Sequence, residues 1–162
     1  MSEAWLDFVM MILIQFLIFV VFVLYRKRFS EIPRLLVQGF LIGIPFGLGF
    51  DLILGKYLGL SSYVLGFNAP FLILNAIVSY GLFAANILLL KQMRLHYLLL
   101  WTLFITAVYE VANLFFRVWT WEFSLPIIPF LIVLAVGYSG GAIFAIGLSN
   151  VLDFFLRKTK VV

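Results

Sequence analysis

An all-α fold of five transmembrane helices is what this sequence predicts, on three observations. Hydrophobic residues make up 65% of the 162-residue chain, against roughly 45–50% in soluble domains. Five apolar stretches each reach the ~20 residues a helix needs to cross a bilayer. Lysine and arginine are shared unevenly between the loops on the two sides. A soluble domain of this length has no core large enough for so much apolar surface. With a mean hydropathy of +1.20 and only 11% charged residues, lipid is the remaining place for it. The length allows one domain, residues 1–162.

The spans fall at about 5–25, 34–54, 70–90, 97–116 and 128–152. The first reads as a true span and not a cleavable signal peptide. Glu3 and Asp7 make its leading segment acidic, its apolar run is too long, and no small-residue cleavage site follows. Orientation comes from the basic residues, which concentrate in cytoplasmic loops. One side carries Arg26, Lys27, Arg28, Arg34, Lys91, Arg94, Arg157, Lys158 and Lys160, and the other only Lys56 and Arg117. The N-terminus is therefore expected outside and the C-terminus in the cytoplasm. Trp5, Tyr57, Tyr63, Trp119 and Trp121 fall at the expected outer interface, where aromatic belts form.

Helical spacing shows which residues share a face. In the second span Gly39, Gly43, Gly47, Asp51 and Gly55 recur every four residues, a ridge that lets another backbone approach closely. Asp51 ends that ridge, so it faces protein. The third span places Asn75, Ser79 and Asn86 on one face below Asn68. The fourth carries a stripe of Thr102, Thr106, Glu110, Asn113 and Arg117. The fifth repeats the small-residue spacing with Gly137, Gly141, Ala145, Ser149 and Asp153. The first span offers only Gln15 among apolar residues, and reads as a peripheral helix against a four-helix core.

A faint internal repeat runs through the last four spans. Phe50-Asp51 closes one span, Phe67-x-x-Pro70 opens the next, and Tyr80-Gly81 and Ala84 follow. Tyr109-Glu110, Phe123-x-x-Pro126, then Tyr138, Gly140 and Ala142 repeat the order. Two spans separate the copies, so an axis along the membrane normal would relate them.

Composition excludes several chemistries. The chain has no cysteine and a single histidine, His96, so disulfides, thiolate sites and histidine-rich metal centres are out. The net charge of +4 sits in short loop clusters, which is topogenic and argues against nucleic acid. What remains is a polar cluster in the outer half: Asp51, Asn75, Glu110 and Asn113, drawn from three helices. A charge at a helix centre costs about 2.5–3.5 kcal/mol on insertion scales, and less near the ends, so intramembrane acids are candidate functional groups. The plainer reading is that Asp51 and Glu110 pair with Lys56, Arg117 or amides and knit helices together. If the two acids meet in a dry site, one can donate a proton while the other stabilises developing positive charge. That suits protonation of an alkene, and equally proton-coupled transport. Asp51 and Glu110 are thus the candidate catalytic residues. Asn75, Ser79, Thr106, Asn113, Trp119 and Trp121 are candidate substrate contacts, and Gly39, Gly43, Gly47, Gly137 and Gly141 candidate packing positions.

Other features read as structural. Glu122 is a solvated interfacial charge, His96 a headgroup contact, and Asp153 a helix ion pair with Arg157. Arg26-Lys27-Arg28 is a topogenic cluster. Tyr138-Ser139-Gly140-Gly141 lies inside an apolar span and is no phosphate loop.

Phe50-Asp51 followed by Gly55, Gly59, Tyr63 and Gly66, with Tyr109-Glu110 followed by Trp119-x-Trp121, resembles the membrane carotenoid enzymes of the small lycopene cyclase and carotenoid hydratase type. The resemblance covers roughly residues 40–145, about 106 of the 162. It implies a cofactor-free enzyme that protonates a polyene, with Asp51 and Glu110 as the acids. The Pro-x-Glu-Glu-like motif of the cyclases is absent, and the third span offers Asn75 and no carboxylate. The expectation is a multi-pass protein of the cell membrane that binds a long apolar, isoprenoid molecule between its helices. Its partners are then membrane lipid and that apolar small molecule, with a homodimer or a larger membrane partner at the protein level. Two further readings are a non-catalytic subunit or assembly factor, docked through its small-residue ridges, and a small proton-coupled transporter.

Overall fold

The computed structural model describes residues 3–122 and 127–158. Phe123 and Pro126 of the internal repeat, and Lys160 of the basic tail, lie outside them. Five helices are long and apolar enough to cross a membrane. α1 (Glu3–Arg26) ends where Lys27 turns left-handed at φ 52°. Arg28 N–H then reaches Val23 O, and Lys27 N–H reaches Leu24 O, each at 3.3 Å, which satisfies the last free carbonyls. After a 3-10 turn at Phe29–Glu31, α2 (Ile32–Phe50) begins with Pro33 in its first turn, where no intrahelical N–H is needed. It continues as a wider π-helical stretch, Asp51–Tyr57.

α3 (Ala69–Leu90) is capped by Asn68, whose side chain accepts from Phe71 N–H at 3.0 Å. It also widens, into π-helix at Ala76–Tyr80, before finishing as Gly81–Leu90. α4 (Leu95–Phe116) stops at left-handed Arg117, φ 50°. α5 runs Ile127–Lys158. The segments after α2 and α4 meet: β1 (Ser61–Tyr63) pairs antiparallel with β2 (Trp119–Trp121), Ser61 opposite Trp121 and Tyr63 opposite Trp119. This small sheet closes one end of the bundle, hereafter the sheet end. The opposite end carries the basic turns.

α3 is the centre of the bundle. In its apolar window 67% of residues are buried, against 22–39% in the other four helices. All four pack on it, α2 most extensively. The layout expected for α1 is therefore corrected: it is not a peripheral helix beside a four-helix core. It packs along α3 and α4 and buries Phe8, Met11, Gln15, Phe19, Phe22 and Val23. Its contacts are made by large apolar side chains, which in sequence look the same whether they face protein or lipid.

The α2–α3 seam is where backbone touches backbone. A Cβ on Gly43 would lie 2.5 Å from Ala76 O and from Gly81 N, and one on Gly39 2.6 Å from Gly81 O. A Cβ on Gly47 would strike the Tyr80 ring at 2.6 Å. On α5, Gly141 abuts the Phe46 ring, whereas Gly137 and Gly140 have nothing within 4 Å. The packing thus distinguishes glycines that look alike in sequence. Gly43→Ala should lower stability by about 1–3 kcal/mol, because backbone atoms cannot move aside. Gly140→Ala should change it by less than about 0.5 kcal/mol. Thermal unfolding of both variants in the same detergent checks this; equal melting temperatures would contradict the close α2–α3 contact.

Candidate functional site

Asp51 lies at the junction between the α-helical and π-helical parts of α2, and only 1% of it is exposed. Three neutral donors hold its carboxyl group. Tyr63 Oη, from β1, donates to Oδ1 at 2.6 Å. Tyr80 Oη, from the π-helical part of α3, donates to the same oxygen at 2.7 Å. Asn75 Nδ2 donates to Oδ2 at 3.0 Å and lies 3.3 Å from Tyr63 Oη. The π-helical turn matters here because it changes the angular register of α3, and Asn75 and Tyr80, five apart, reach one carboxyl group.

Glu110 sits in the same relation to the second half of the chain. Tyr138 Oη, from α5, donates to Oε1 at 3.0 Å, and Trp121 Nε1, from β2, donates to Oε2 at 3.3 Å. The two constructions follow one pattern. Each acid lies six residues before its helical segment ends, at Tyr57 and Phe116, and takes a donor from the strand that follows, 12 residues on for Asp51 and 11 for Glu110. Each also takes a tyrosine from the next helix, 29 residues on for Asp51 and 28 for Glu110. Antiparallel pairing of the two strands joins the halves.

The donors of both acids line one cavity. Tyr63, Tyr80 and Asn75, which hold Asp51, and Tyr138 and Trp121, which hold Glu110, are in its wall, with Ser61, Ser79, Trp119 and Gln15. Phe8, Met11, Phe46, Phe50, Phe83, Tyr109 and Val118 make the remainder largely apolar. Its volume is about 60 Å³, room for a few water-sized groups. Exposed Gly137 is in its wall, and a Cβ there would meet nothing within 4 Å, which leaves an opening at that point. The carboxyl groups do not bond to each other; aromatic hydroxyls and an indole stand in front of each.

The plainer sequence expectation, ion pairing with Lys56 or Arg117, does not hold. Among the described residues the ion pairs are Arg28–Glu31, Arg34–Asp153 and Lys91–Asp153, so neither buried Asp51 nor half-buried Glu110 has a cationic partner. Lys56 and Arg117 are exposed. The amide half of that expectation does appear, in Asn75.

The candidate contacts separate into two groups. Asn75, Ser79, Trp119 and Trp121 line the cavity, and Asn113 and Thr106 do not. Asn113 fastens β2 to α4: its Nδ2 donates to Trp119 O at 2.8 Å and its Oδ1 accepts from Trp119 N–H at 3.1 Å. Thr106 is buried, and its hydroxyl makes no hydrogen bond among the described residues. Tyr63 and Trp121, assigned to an interfacial belt, turn inward onto the acids. Asp153 does not depend on Arg157, whose side chain lies outside the described residues. It reaches across the bundle to Arg34 at 2.6 Å, Gln38 at 2.9 Å and Lys91 at 3.3 Å. Glu122 is exposed and accepts from Ser62 and Thr120, and those bonds hold its carboxyl below the usual range.

Sequence reasoning missed Tyr63, Tyr80 and Tyr138 as site residues. The available signal was that a tyrosine inside an apolar span needs an acceptor for its hydroxyl, and the spans offer few acceptors besides Asp51 and Glu110.

Tyr63 lies outside the spans and gives a direct test. Burial, and then the nearby Asp51 charge, push its hydroxyl well above the usual 10.0. A group with a raised folded value stabilises the fold fully below the unfolded value and loses that contribution as pH rises beyond it. Stability should therefore fall more steeply above about pH 10 in the native protein than in Tyr63→Phe, measured by thermal unfolding from pH 8 to 11.5. Parallel curves would remove Tyr63 from the cluster. The chain matches no protein-family model, no curated protein and no solved structure.

Proposed function

We propose that the chain is a multi-pass protein of the cell membrane that binds a long, apolar isoprenoid molecule between its helices and acts on it by acid catalysis. The sheet end faces outside and the C-terminus the cytoplasm, an orientation that rests on the concentration of lysine and arginine at the opposite end. One observation carries the chemistry. The donors that hold two carboxyl groups without cationic partners line a single, largely apolar cavity near the sheet end, with each acid behind its donors.

The roles follow from how each acid is held. Asp51 takes three hydrogen bonds, two of them at 2.6–2.7 Å, and as the more firmly held acid is assigned the counter-ion role. Glu110 has two, at 3.0 and 3.3 Å, and is the proton donor. Tyr138, which lines the cavity, gives its hydroxyl proton to one carbon of a substrate double bond and takes up the proton of Glu110, leaving a carboxylate on Glu110 and a tertiary carbocation on the substrate. Asp51 supplies the counter-charge from behind Tyr63, Tyr80 and Asn75. The Trp119, Trp121 and Tyr138 rings offer π faces to the cation. Water attack on the cation, with return of a proton to Glu110, completes a hydration. Attack by a neighbouring double bond, followed by proton loss, closes a ring. Neither outcome consumes a cofactor or an electron carrier. Gln15, whose Oε1 is buried and unbonded among the described residues, Ser61 and Ser79 are among the polar groups in the wall able to hold water.

The cavity fits only the reacting end of such a molecule, and the rest of the chain would lie along the gap at Gly137 beside lipid. The resemblance to small membrane carotenoid enzymes points to the same substrate class. The rival subunit reading needs a free small-residue ridge: α3 fills the one made by Gly39, Gly43 and Gly47, while Gly137 and Gly140 on α5 stay open to a partner.

Glu110→Gln should reduce product formation at least about a hundredfold with little change in melting temperature, assayed by chromatography of lipids from cells that make linear polyenes. Turnover retained in a folded Glu110→Gln protein rejects Glu110 as the essential acid.

A further inference from the structure

A second cavity, of about 230 Å³, lies at the basic end and is lined by Arg28, Glu31, Arg34, Gln38, Lys91 and Asp153 with four neighbours. It is far larger than the ~10–15 Å³ that a single water requires, and its wall is polar where the first cavity is apolar. The segments that form it are the 3-10 turn after α1, the start of α2, the end of α3 and the last turns of α5.

We infer that this cavity is a binding site for an anionic phosphate group. Three cations converge on it against two carboxylates. Arg28 is drawn inward, with 17% of its side chain exposed, and Lys91 with 27%. The existing bonds leave donors unused. Among the described residues, Arg28 spends two N–H groups on Glu31, Arg34 one on Asp153, and Lys91 two, on Ser149 and Asp153. A guanidinium has five N–H groups and an ammonium three, so each cation keeps at least one for a ligand. Planar guanidinium forks suit phosphate oxygens, and a lysine adds a point charge. Arg26, Lys27 and Arg94 are at the same end, and no ion pair among the described residues involves them. Six cations there face Glu31 and Asp153, so the local field attracts anions.

Depth argues the same way. Lys91 follows ten consecutive buried residues, Gly81–Leu90, which places the cavity where an apolar core gives way to headgroups. A lipid phosphate of that leaflet and free phosphate share the chemistry the site recognises. Asp153 is the internal competitor: it occupies Arg34 and Lys91 and repels an incoming anion, and a ligand would take over those two cations.

The test uses the full chain, stripped of lipid in uncharged detergent. Dioleoylphosphatidic acid and inorganic phosphate are titrated separately, read by native mass spectrometry and by melting temperature, with dioleoylphosphatidylcholine as the zwitterionic control. Lys91→Gln should weaken binding of the anionic probe about tenfold. Asp153→Asn, which removes the competing charge and keeps an acceptor for Gln38, should tighten it at least about threefold. Response to phosphatidic acid alone assigns a lipid source, and response to inorganic phosphate assigns a soluble one; either supports the site. Binding of neither probe, phosphatidylcholine binding as tightly as phosphatidic acid, unchanged binding by Lys91→Gln, or unchanged or weaker binding by Asp153→Asn overturns it.

Discussion

The constraint on which the rest of the structure depends is that two carboxyl groups sit among apolar helices with no cation to neutralise them. An uncompensated buried acid is costly, and here hydrogen bonds from tyrosine, tryptophan and asparagine meet that cost. Each donor needs a backbone placed to deliver it. The small sheet delivers Tyr63 and Trp121, the π-helical part of α3 delivers Tyr80, and Asn113 ties the sheet to the end of α4. The glycine seam between α2 and α3 brings the Asp51 helix close enough to Asn75 and Tyr80 for their bonds to form. Local features that look unrelated along the chain serve one arrangement.

That arrangement occurs twice. Acid, strand donor and helix tyrosine recur at nearly equal separations in the two halves, and the strands pair where the halves meet. Each half supplies one acid, and residues of both halves, together with Phe8, Met11 and Gln15 of α1, line the cavity. The halves are not equivalent. Asp51 has Asn75 as an additional donor and is fully buried, while Glu110 is half-buried. In the proposed chemistry that asymmetry divides the work between the two acids.

The helices were legible because a bilayer-length apolar run is a strong signal. The α2 ridge was legible because glycine at every fourth position of an apolar helix marks a face where a second backbone comes close. The acids stood out in the same way, since ionisable groups in apolar runs are rare. Their partners did not. Tyr63 and Trp121 sit in segments that read as interfacial belt, and only strand pairing, which involves residues 56–60 apart, turns them inward. Tyr80 depends on a π-helical turn that no local pattern announces. Asp153 has a closer partner in sequence, Arg157, but tertiary packing brings Arg34 and Lys91 to it. α1 was misplaced because apolar contact with protein and with lipid use the same side chains.

The two cavities stand at opposite ends and differ in character, one apolar and flanked by acids, the other polar and ringed by cations. The central claim concerns the first: its occupant is an unsaturated isoprenoid. Mass spectrometry of the lipophilic material extracted from the protein purified in mild detergent tests this most directly. A polyene retained in near-stoichiometric amount is the predicted result. An extract containing phospholipid alone, from cells that make such polyenes, would contradict it.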